Sequence, residues 1–330
     1  MSTLSVIIPN YNRAGLIGET LENILRQTRA PDELIVVDDG STDDSVAEIA
    51  RFGDRVRLIQ QANAGPGAAR NRGLAAATGE FIQFFDSDDL CSLNKLEIQV
   101  ATLERTGADL VYGPWVQARL AEGRAHVAEL PLQQRALPDG RSPLSWFLRG
   151  WIIVFQCCMV RRSLLDRVGP YRTDLIVGED GELLFRMLLA GARIVHAPEA
   201  LVLYRLHFGA QLSRGGIADT RRAADWLRHA EIIEAALEEA AGAAAPGDLA
   251  RWRQVTRDAR VELRRAGGVR LLDLPFRARV LLRRWQSGLR RRVHGSSQPR
   301  PFQPGPLDES QRALIRAIGY EPVLGGAAGA

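Results

Sequence analysis

The sequence predicts an α/β fold in which a sheet is flanked by helices and followed by a helical C-terminal region. Over the first 110 residues, short apolar runs alternate with amphipathic segments, a pattern typical of successive βα units and a largely parallel sheet. After about residue 215, Ala, Glu, Arg and Leu dominate, and these residues favour helix. A chain of 330 residues is long enough for one large or two moderate domains.

The individual elements follow from apolar runs and from apolar spacing. Four apolar runs predict strands at 4–8, 33–37, 56–60 and 80–85. Apolar residues recur at helical spacing between them, which predicts helices within 16–25, 46–50 and 67–77. Further along the chain, the same criteria predict strands at 109–113, 192–196 and 200–206 and a helix around 183–188.

Polar or small residues follow each of the first four predicted strands. The four segments read "PNYN", "DDGS", "QANAGPG" and "DSDD" in chain order. In open α/β sheets, ligands bind beyond the carboxyl ends of the strands. Agreement at four strand ends predicts a small-molecule site at this edge of the sheet.

The stretch "GEFIQFFDSDDL", residues 79–90, ends a buried strand on three carboxylates, Asp86, Asp88 and Asp89. Like charges this close raise one another's pKa, so a divalent cation is expected between them. A solvated turn that caps the following helix would use the same residue types. These residues alone favour neither interpretation.

Five segments together resemble the inverting family 2 glycosyltransferases of GT-A fold. The segments are "SVIIPNYNR", "ELIVVDDGSTDDS", "NAGPGAARNRGL", "GEFIQFFDSDD" and "GEDGELLFRMLLAG", and the resemblance covers about residues 3–213. It implies a Rossmann-like GT-A mixed sheet that binds a nucleotide diphosphate sugar donor. The sugar would pass with inversion to an acceptor hydroxyl, with Mg²⁺ or Mn²⁺ as cofactor, in cell-surface polysaccharide or glycolipid synthesis.

The resemblance also implies roles for single residues at the strand ends. It suggests that the donor is contacted by Pro9, Tyr11, Asn12, Asp39, Arg70, Asp86 and Asp88. Within this set, Asp39 is similar to the residue that reads the base. The acidic cluster resembles the DxD motif, and either Asp86 with Asp88 or Asp88 with Asp89 matches the pattern. The predicted metal ligands are Asp88, Asp89 and His207.

Transfer to a hydroxyl requires a base that takes the acceptor's proton. Asp180, in the "GED" segment before an apolar helix, matches the family's catalytic aspartate. A carboxylate that only stabilises the helix N-terminus through the dipole is the simpler interpretation, and Glu182 is a rival base in the same turn.

Two other classes of protein share some of these features. A non-catalytic relative could bind a nucleotide sugar, although it would be expected to have lost a DxD acid or the "ED" aspartate. The "GPGAAR" segment imitates the dinucleotide fingerprint of a Rossmann oxidoreductase, but Arg70 stands where that motif needs a small residue.

The predicted boundary near residue 215 follows from the change to helix-favouring residues there, and the resemblance ends close to it, at about residue 213. We predict a GT-A domain at 1–214, with its nucleotide-sugar part at about 1–112 and its acceptor part at about 113–214. The acceptor is expected to be a saccharide or a lipid-linked saccharide. The C-terminal region is predicted at 215–330.

Charge is concentrated in the C-terminal region. Residues 251–292 hold 14 Arg against three acids, a balance of +11 in a chain whose net charge is +4. After Pro275, Leu281, Trp285, Leu289 and Val293 recur every four residues, a spacing typical of a membrane-surface helix. A helix packed on its own catalytic domain, with its arginines in water, would show the same spacing. We therefore predict contact with an anionic membrane surface. Because no nucleic-acid reading motif is present, no nucleic-acid partner is expected.

The predicted location is the cytoplasm, peripheral on the inner face of the plasma membrane. The sequence opens directly into "LSVIIPNYNR", without a basic leader or a small-residue cleavage site. Its longest uncharged apolar stretch, at 150–160, has 11 residues. A membrane span needs roughly 20.

Overall fold

The computed structural model describes residues 2–133, 136–137, 140–206, 220–240, 242, 247–266 and 307–324. Its strands are β1 (Leu4–Asn10), β2 (Glu33–Asp38), β3 (Arg57–Gln60), β4 (Phe81–Phe84), β5 (Leu90–Cys91), β6 (Leu110–Tyr112), β7 (Trp115–Ala121), β8 (Arg124–Gln133), β9 (Cys158–Arg161), β10 (Ile194–His196), β11 (Val202–Arg205) and β12 (Glu321–Leu324). Its helices are α1 (Ala14–Leu25), α2 (Ser45–Ala50), α3 (Pro66–Ala76), α4 (Lys95–Thr106), α5 (Pro143–Phe147), α6 (Arg162–Val168), α7 (Glu179–Leu189), α8 (Thr220–Glu239), α9 (Asp248–Ala266) and α10 (Glu309–Ala317).

Seven strands form the main sheet, in the order β10-β6-β9-β4-β1-β2-β3. All neighbours in it run parallel except β9, which is antiparallel to both β4 and β6. The four strands predicted in the first half of the chain are therefore confirmed, and so is a mixed α/β sheet flanked by helices. Because β4, β1 and β2 are parallel neighbours, their carboxyl ends lie side by side.

Both faces of the main sheet are covered by helices. Strand β1 shows the alternation: Val6 and Ile8 pack into a core that includes Ile17 and Leu21 of α1, whereas Ile7 packs into the opposite core. Near-continuous burial along β1 and β2 is typical of parallel strands with both faces covered.

Helix α3 lies unusually close to β1. A Cβ atom on Gly73 would lie 2.3 Å from Cγ2 of Ile7, so only glycine allows this approach. The contact sets the depth at which α3 sits on the sheet. It thereby fixes where Arg70, one helical turn earlier, reaches the end of the strands.

A second sheet has the strand order β12-β8-β7-β11-β5. Strand β12 comes from the C-terminal region, which was predicted to be helical, so the helical description of that region is incomplete. Strand β12 contains Pro322, which has no N–H to donate, and it lies at the edge of the sheet, where proline is tolerated. Pairing with β8 is a tertiary contact that local sequence does not encode.

The C-terminal helices pack against the first half of the chain. Trp252 of α9 stacks on Phe147 at 5.8 Å between ring centroids, and its indole N–H donates to the carbonyl of Ala230 in α8 at 2.9 Å. Ile233 and Leu237 of α8 belong to the same core cluster as Ile7. Helices α8 and α9 therefore share a core with the main sheet.

Two sequence predictions concern residues that the structure describes only in part. The basic segment 251–292 is described as far as the end of α9, and the apolar line from Pro275 to Val293 lies outside the described residues. No helix within the described ranges is both long enough and apolar enough to cross a bilayer.

Candidate active site

Arg70 of α3 connects the acidic cluster to the start of α7. Its Nη2 lies 3.0 Å from Oδ1 of Asp86, and its Nη1 lies 3.0 Å from Oε1 of Glu179 and 3.7 Å from Oδ1 of Asp180. The ring of Tyr171 lies beneath the guanidinium, with 5.3 Å from Cζ to the ring centroid. Only 5% of Arg70 is exposed, so its charge depends on these partners.

The carboxylates around Arg70 are crowded and poorly solvated. Burial raises the pKa of Asp86 to about 6; Arg70 opposes this rise, and repulsion from Asp88 and Asp180 adds to it. Burial, with repulsion from Asp180, likewise raises the pKa of Glu179 to about 7 although Arg70 opposes the shift. The cluster therefore holds more negative charge than Arg70 neutralises.

A second arginine, Arg13, faces the acidic cluster from the end of β1. Its Nε lies 2.9 Å from Oδ2 of Asp88, and its Nη1 donates to the carbonyl of Asn12 at 3.0 Å. The sequence interpretation missed this residue, although it directly follows the "PNYN" loop. Asp88 is thereby held toward the loop that was predicted to bind the nucleoside.

Asp86 and Asp88 fit a hard divalent cation by chemistry. Their side chains are 30% and 16% exposed, and carboxylate oxygens are the ligands that Mg²⁺ and Mn²⁺ prefer. The described part of the chain contains no group of three or more His, Cys, Asp and Glu placed to hold a metal. Such an ion would therefore take one or two carboxylates here and complete its shell with phosphate oxygens and water.

Asp89 differs from its two neighbours in the cluster. It is 1% exposed, and it accepts hydrogen bonds from Nε2 of Gln156 and from the N–H of Arg205, each at 2.8 Å. Burial, with repulsion from Asp88, raises its pKa. These contacts do not support Asp89 as a metal ligand. His207, the third predicted ligand, lies outside the described residues.

A buried polar chain lies behind Asp89. Gln156, the donor to Asp89, accepts at its backbone carbonyl from Nε2 of Gln83 at 3.2 Å. The ammonium of Lys95, which is fully buried, donates to Gln83 and to Gln99, the latter at 2.8 Å. Burial lowers the pKa of Lys95. The cluster is thus supported from inside the protein by neutral amides.

The end of β1 and the loop after it contain the three residues predicted to lie beneath the nucleoside: Pro9 is in the strand, and Tyr11 and Asn12 are in the loop. Pro9 is half-buried, and Tyr11 is 46% exposed, which leaves an aromatic ring available at the site. Asn12 has a left-handed backbone with φ of 51°, and its Oδ1 accepts from the N–H of Thr42 at 2.7 Å. Asn12 therefore joins the first and second strand-end loops.

Asp39, predicted to read the base, already binds the third strand-end loop. Its Oδ1 accepts from Nε2 of Gln61 at 2.7 Å and from the N–H of Ala64 at 2.9 Å, and its Oδ2 accepts from the N–H of Gly65 at 2.8 Å. One acceptor position remains on Oδ2. Because a dinucleotide fingerprint would direct such loop amides at a pyrophosphate, their use by Asp39 disfavours the Rossmann interpretation.

The start of α7 distinguishes the two candidate bases. Both oxygens of Glu182 accept hydrogen bonds from Arg186 at 2.8 Å, and Glu182 is 2% exposed. The side chain of Asp180 is 29% exposed, although its Oδ1 is buried, 3.7 Å from Nη1 of Arg70 and without a hydrogen-bond donor among the described residues. This arrangement favours Asp180 over Glu182 as the candidate base. Glu179, which the sequence interpretation passed over, is the residue of the "GED" segment that binds Arg70 most closely.

Comparison with known proteins identifies the class. The family model named "Glycosyl transferase family 2" matches residues 5–169, and this chain belongs to that family. The glycosyltransferase GlyG of Streptococcus pneumoniae is 30% identical over 250 residues, which cover 70% of this chain and 77% of GlyG. The E. coli enzyme WfgD, a UDP-Glc:α-D-GlcNAc-diphosphoundecaprenol β-1,3-glucosyltransferase, is 38% identical over 112 residues, which cover 33% of this chain and 44% of WfgD.

Other matches are more partial. An uncharacterised glycosyltransferase of Rickettsia felis is 45% identical over 103 residues, which cover 31% of this chain and only 17% of that protein. A solved structure of S. aureus TarS with UDP-GlcNAc superposes with a TM-score of 0.59 at 22% identity, covering 83% of this chain and 78% of TarS. The structure of the mannosyltransferase PcManGT of Pyrobaculum calidifontis with GDP-Man and Mn²⁺ superposes with a TM-score of 0.54 at 22% identity. The superposition covers 96% of this chain and 86% of PcManGT. At this identity they show the shared GT-A fold.

We predict that Asp86 makes the metal-free protein less stable as pH rises. Its folded pKa of about 6 lies above the ordinary value of 3.8, so its ionisation between these values opposes folding. Replacing Asp86 with Asn removes this unfavourable ionisation. The free energy of unfolding of Asp86→Asn relative to wild type should therefore increase from about pH 4 to pH 7, as measured by denaturant unfolding in EDTA.

Glu309→Gln provides a control of opposite sign. A hydrogen bond from Arg316 lowers the pKa of this exposed carboxylate, so its ionisation favours folding. The free energy of unfolding of Glu309→Gln relative to wild type should therefore fall as pH rises through the acidic range. A difference between Asp86→Asn and wild type that stays constant with pH would contradict the prediction.

Proposed function

We propose that the protein transfers a sugar, with inversion and with a divalent cation, from a nucleotide diphosphate donor to an acceptor hydroxyl. The observation that carries the proposal is that Arg70 brings Asp180 of α7 to Asp86, which lies with Asp88 beyond the carboxyl end of β4. Asp86 and Asp88 would hold the cation. When bound, Mg²⁺ or Mn²⁺ supplies positive charge that stabilises the departing diphosphate.

The arrangement assigns a role to each charged residue. Inversion needs an attacking oxygen and a leaving group on opposite sides of the anomeric carbon, and one base suffices. The carboxylate of Asp180 accepts the proton of the acceptor hydroxyl as the new glycosidic bond forms and the bond to the diphosphate breaks. Arg70 orients the carboxylates of Asp86 and Glu179, and Arg13 orients that of Asp88.

The donor-binding residues follow from the loops. Tyr11 offers an exposed ring to the base, and Asp39 offers its remaining acceptor position on Oδ2 to an N–H of the base. TarS and PcManGT were solved with UDP-GlcNAc and GDP-Man, which supports a nucleotide sugar as the ligand class. Mn²⁺ in the PcManGT structure supports the choice of cation.

The acceptor is proposed from the relatives. WfgD is named for a lipid diphosphate acceptor, which supports a lipid-linked saccharide and a role in cell-surface glycan synthesis. The alternative of a non-catalytic nucleotide-sugar-binding relative is less well supported. Its expected loss of an acid at the DxD or "ED" position has not occurred, because Asp86, Asp88 and Asp180 are all present.

First, Asp88→Ala should remove most of the Mn²⁺-dependent gain in nucleotide affinity. Loss of a carboxylate ligand should weaken this gain by about tenfold or more. Calorimetry with UDP and with GDP, in Mn²⁺ and in EDTA, measures the effect. Asp89→Asn is the matched control, and it should keep most of its metal dependence because the amide oxygen can still accept the hydrogen bond from the N–H of Arg205. Equal metal dependence in wild type and in both variants would contradict the proposal that Asp88 holds the cation.

Second, Asp180→Asn should retain donor binding and lose transfer. The amide keeps the shape but cannot accept a proton, so turnover should fall by about 10² to 10⁴. Glu182→Gln is the control: it weakens the contact with Arg186 and should reduce thermal stability more than turnover. Near-normal turnover in Asp180→Asn together with an inactive Glu182→Gln would identify Glu182 as the base.

Third, we propose that the basic segment brings the site to an anionic membrane surface on the cytoplasmic side. Each arginine close to such a surface contributes about 1 kcal/mol at most to the free energy of membrane binding. Replacing Arg283, Arg284 and Arg290 to Arg292 with Gln should abolish flotation with phosphatidylserine vesicles at low salt. Five matched replacements with Gln in α9 should reduce flotation less; they are at Arg251, Arg253, Arg257, Arg260 and Arg264. Wild-type protein that stays at the bottom of the gradient would refute the proposal.

A further inference from the structure

The C-terminal strand and the acidic cluster lie at opposite edges of one sheet. Strand β12 forms one edge of the five-stranded sheet, and β5 forms the other. Strand β5 begins at Leu90, the residue that follows Asp89 in the acidic cluster. Leu90 is paired with Leu203 of β11, which continues through β7 and β8 to β12.

Apolar packing joins the same two parts of the chain. Leu307 and Ile315 of the C-terminal segment are buried in one cluster with Leu90, Val116 and Leu203. Residues 307–324 are far from the acidic cluster in sequence and lie outside the match to the family model. Their burial nevertheless depends on the strand that begins next to Asp89.

A polar path runs from the C-terminal segment to Asp89. The hydroxyl of Tyr320 donates to Oε1 of Glu19 in α1, and Oε2 of Glu19 lies 2.8 Å from Nη1 of Arg205. The backbone N–H of Arg205 donates to Oδ1 of Asp89 at 2.8 Å. Burial, with the adjacent Glu19, raises the pKa of Tyr320 to about 12, so its hydroxyl keeps its proton at neutral pH.

We propose that residues 307–324 position the acidic turn 86–89, with Tyr320, Glu19 and Arg205 as positioning residues. Tyr320 orients Glu19, Glu19 holds the side chain of Arg205, and the backbone of Arg205 holds Asp89. Because Asp88 immediately precedes Asp89, this path sets where Asp88 lies. The consequence for metal and nucleotide rests on the proposed function; the positioning itself does not.

Hydrogen exchange of the full-length protein tests the positioning without any ligand. Tyr320→Phe keeps the ring in the apolar cluster and removes only the hydroxyl, and Glu19→Gln removes the charge that pairs with Arg205. In both variants, amides of residues 86–91 and of Arg205 should exchange about three- to tenfold faster than in wild type. Unchanged exchange in these amides would overturn the proposal.

Arg316→Gln is the matched control on the same segment. Arg316 pairs with Glu309 at 2.7 Å and with Glu321 at 3.1 Å, and all three side chains are exposed. Exposed pairs of this kind contribute little to stability. Exchange in 86–91 should therefore stay at the wild-type rate. Faster exchange in Arg316→Gln equal to that in Tyr320→Phe would mean general loosening of the segment, and it would also overturn the proposal.

Nucleotide binding tests the functional consequence. Calorimetry with Mn²⁺ and UDP, and with Mn²⁺ and GDP, should show affinity about three- to tenfold weaker in Tyr320→Phe and Glu19→Gln than in Arg316→Gln. Wild-type affinity in both variants would overturn the proposed consequence. If wild-type protein binds neither nucleotide with Mn²⁺, the proposed function fails, and the exchange result alone decides the positioning.

Discussion

The arrangement of the site depends on one buried cation, the guanidinium of Arg70. A buried arginine requires anionic partners, and a group of crowded carboxylates requires a cation, so each stabilises the ionised form of the other. The partners come from two distant parts of the chain: Asp86 follows β4, and Glu179 begins α7. The position of Arg70 is in turn set by Gly73, which lets α3 lie against Ile7 of β1.

The three carboxylates of the acidic cluster have different environments, although they lie within four residues. Asp86 faces Arg70, Asp88 faces Arg13, and Asp89 turns inward to Gln156 and the backbone of Arg205. Burial and mutual repulsion still leave excess negative charge on the exposed side. The divalent cation that we propose would relieve repulsion that the protein's own arginines only partly offset.

The strand-end loops are cross-linked before any ligand binds. Asp39 holds the amides that precede α3, Asn12 holds the loop after β2, and Asp38 accepts from Nδ2 of Asn10 and from Ser41. A surface held in this way loses little conformational entropy when a ligand binds. Glu179 adds the start of α7 to the same network through Arg70.

The sequence by itself determined every strand of the main sheet except β9, because strand periodicity, turn residues and the polar strand ends are local patterns. It also identified the acidic cluster, Arg70 and Asp180 as candidates, since their segments occur in the order of the family. Only the tertiary structure decided that Asp89 faces inward and that Arg13 faces Asp88. The addition of β12 to the second sheet was likewise a tertiary outcome. The physical reason is that a side chain's partners are set by packing between distant segments, and the local pattern that forms each segment does not specify them.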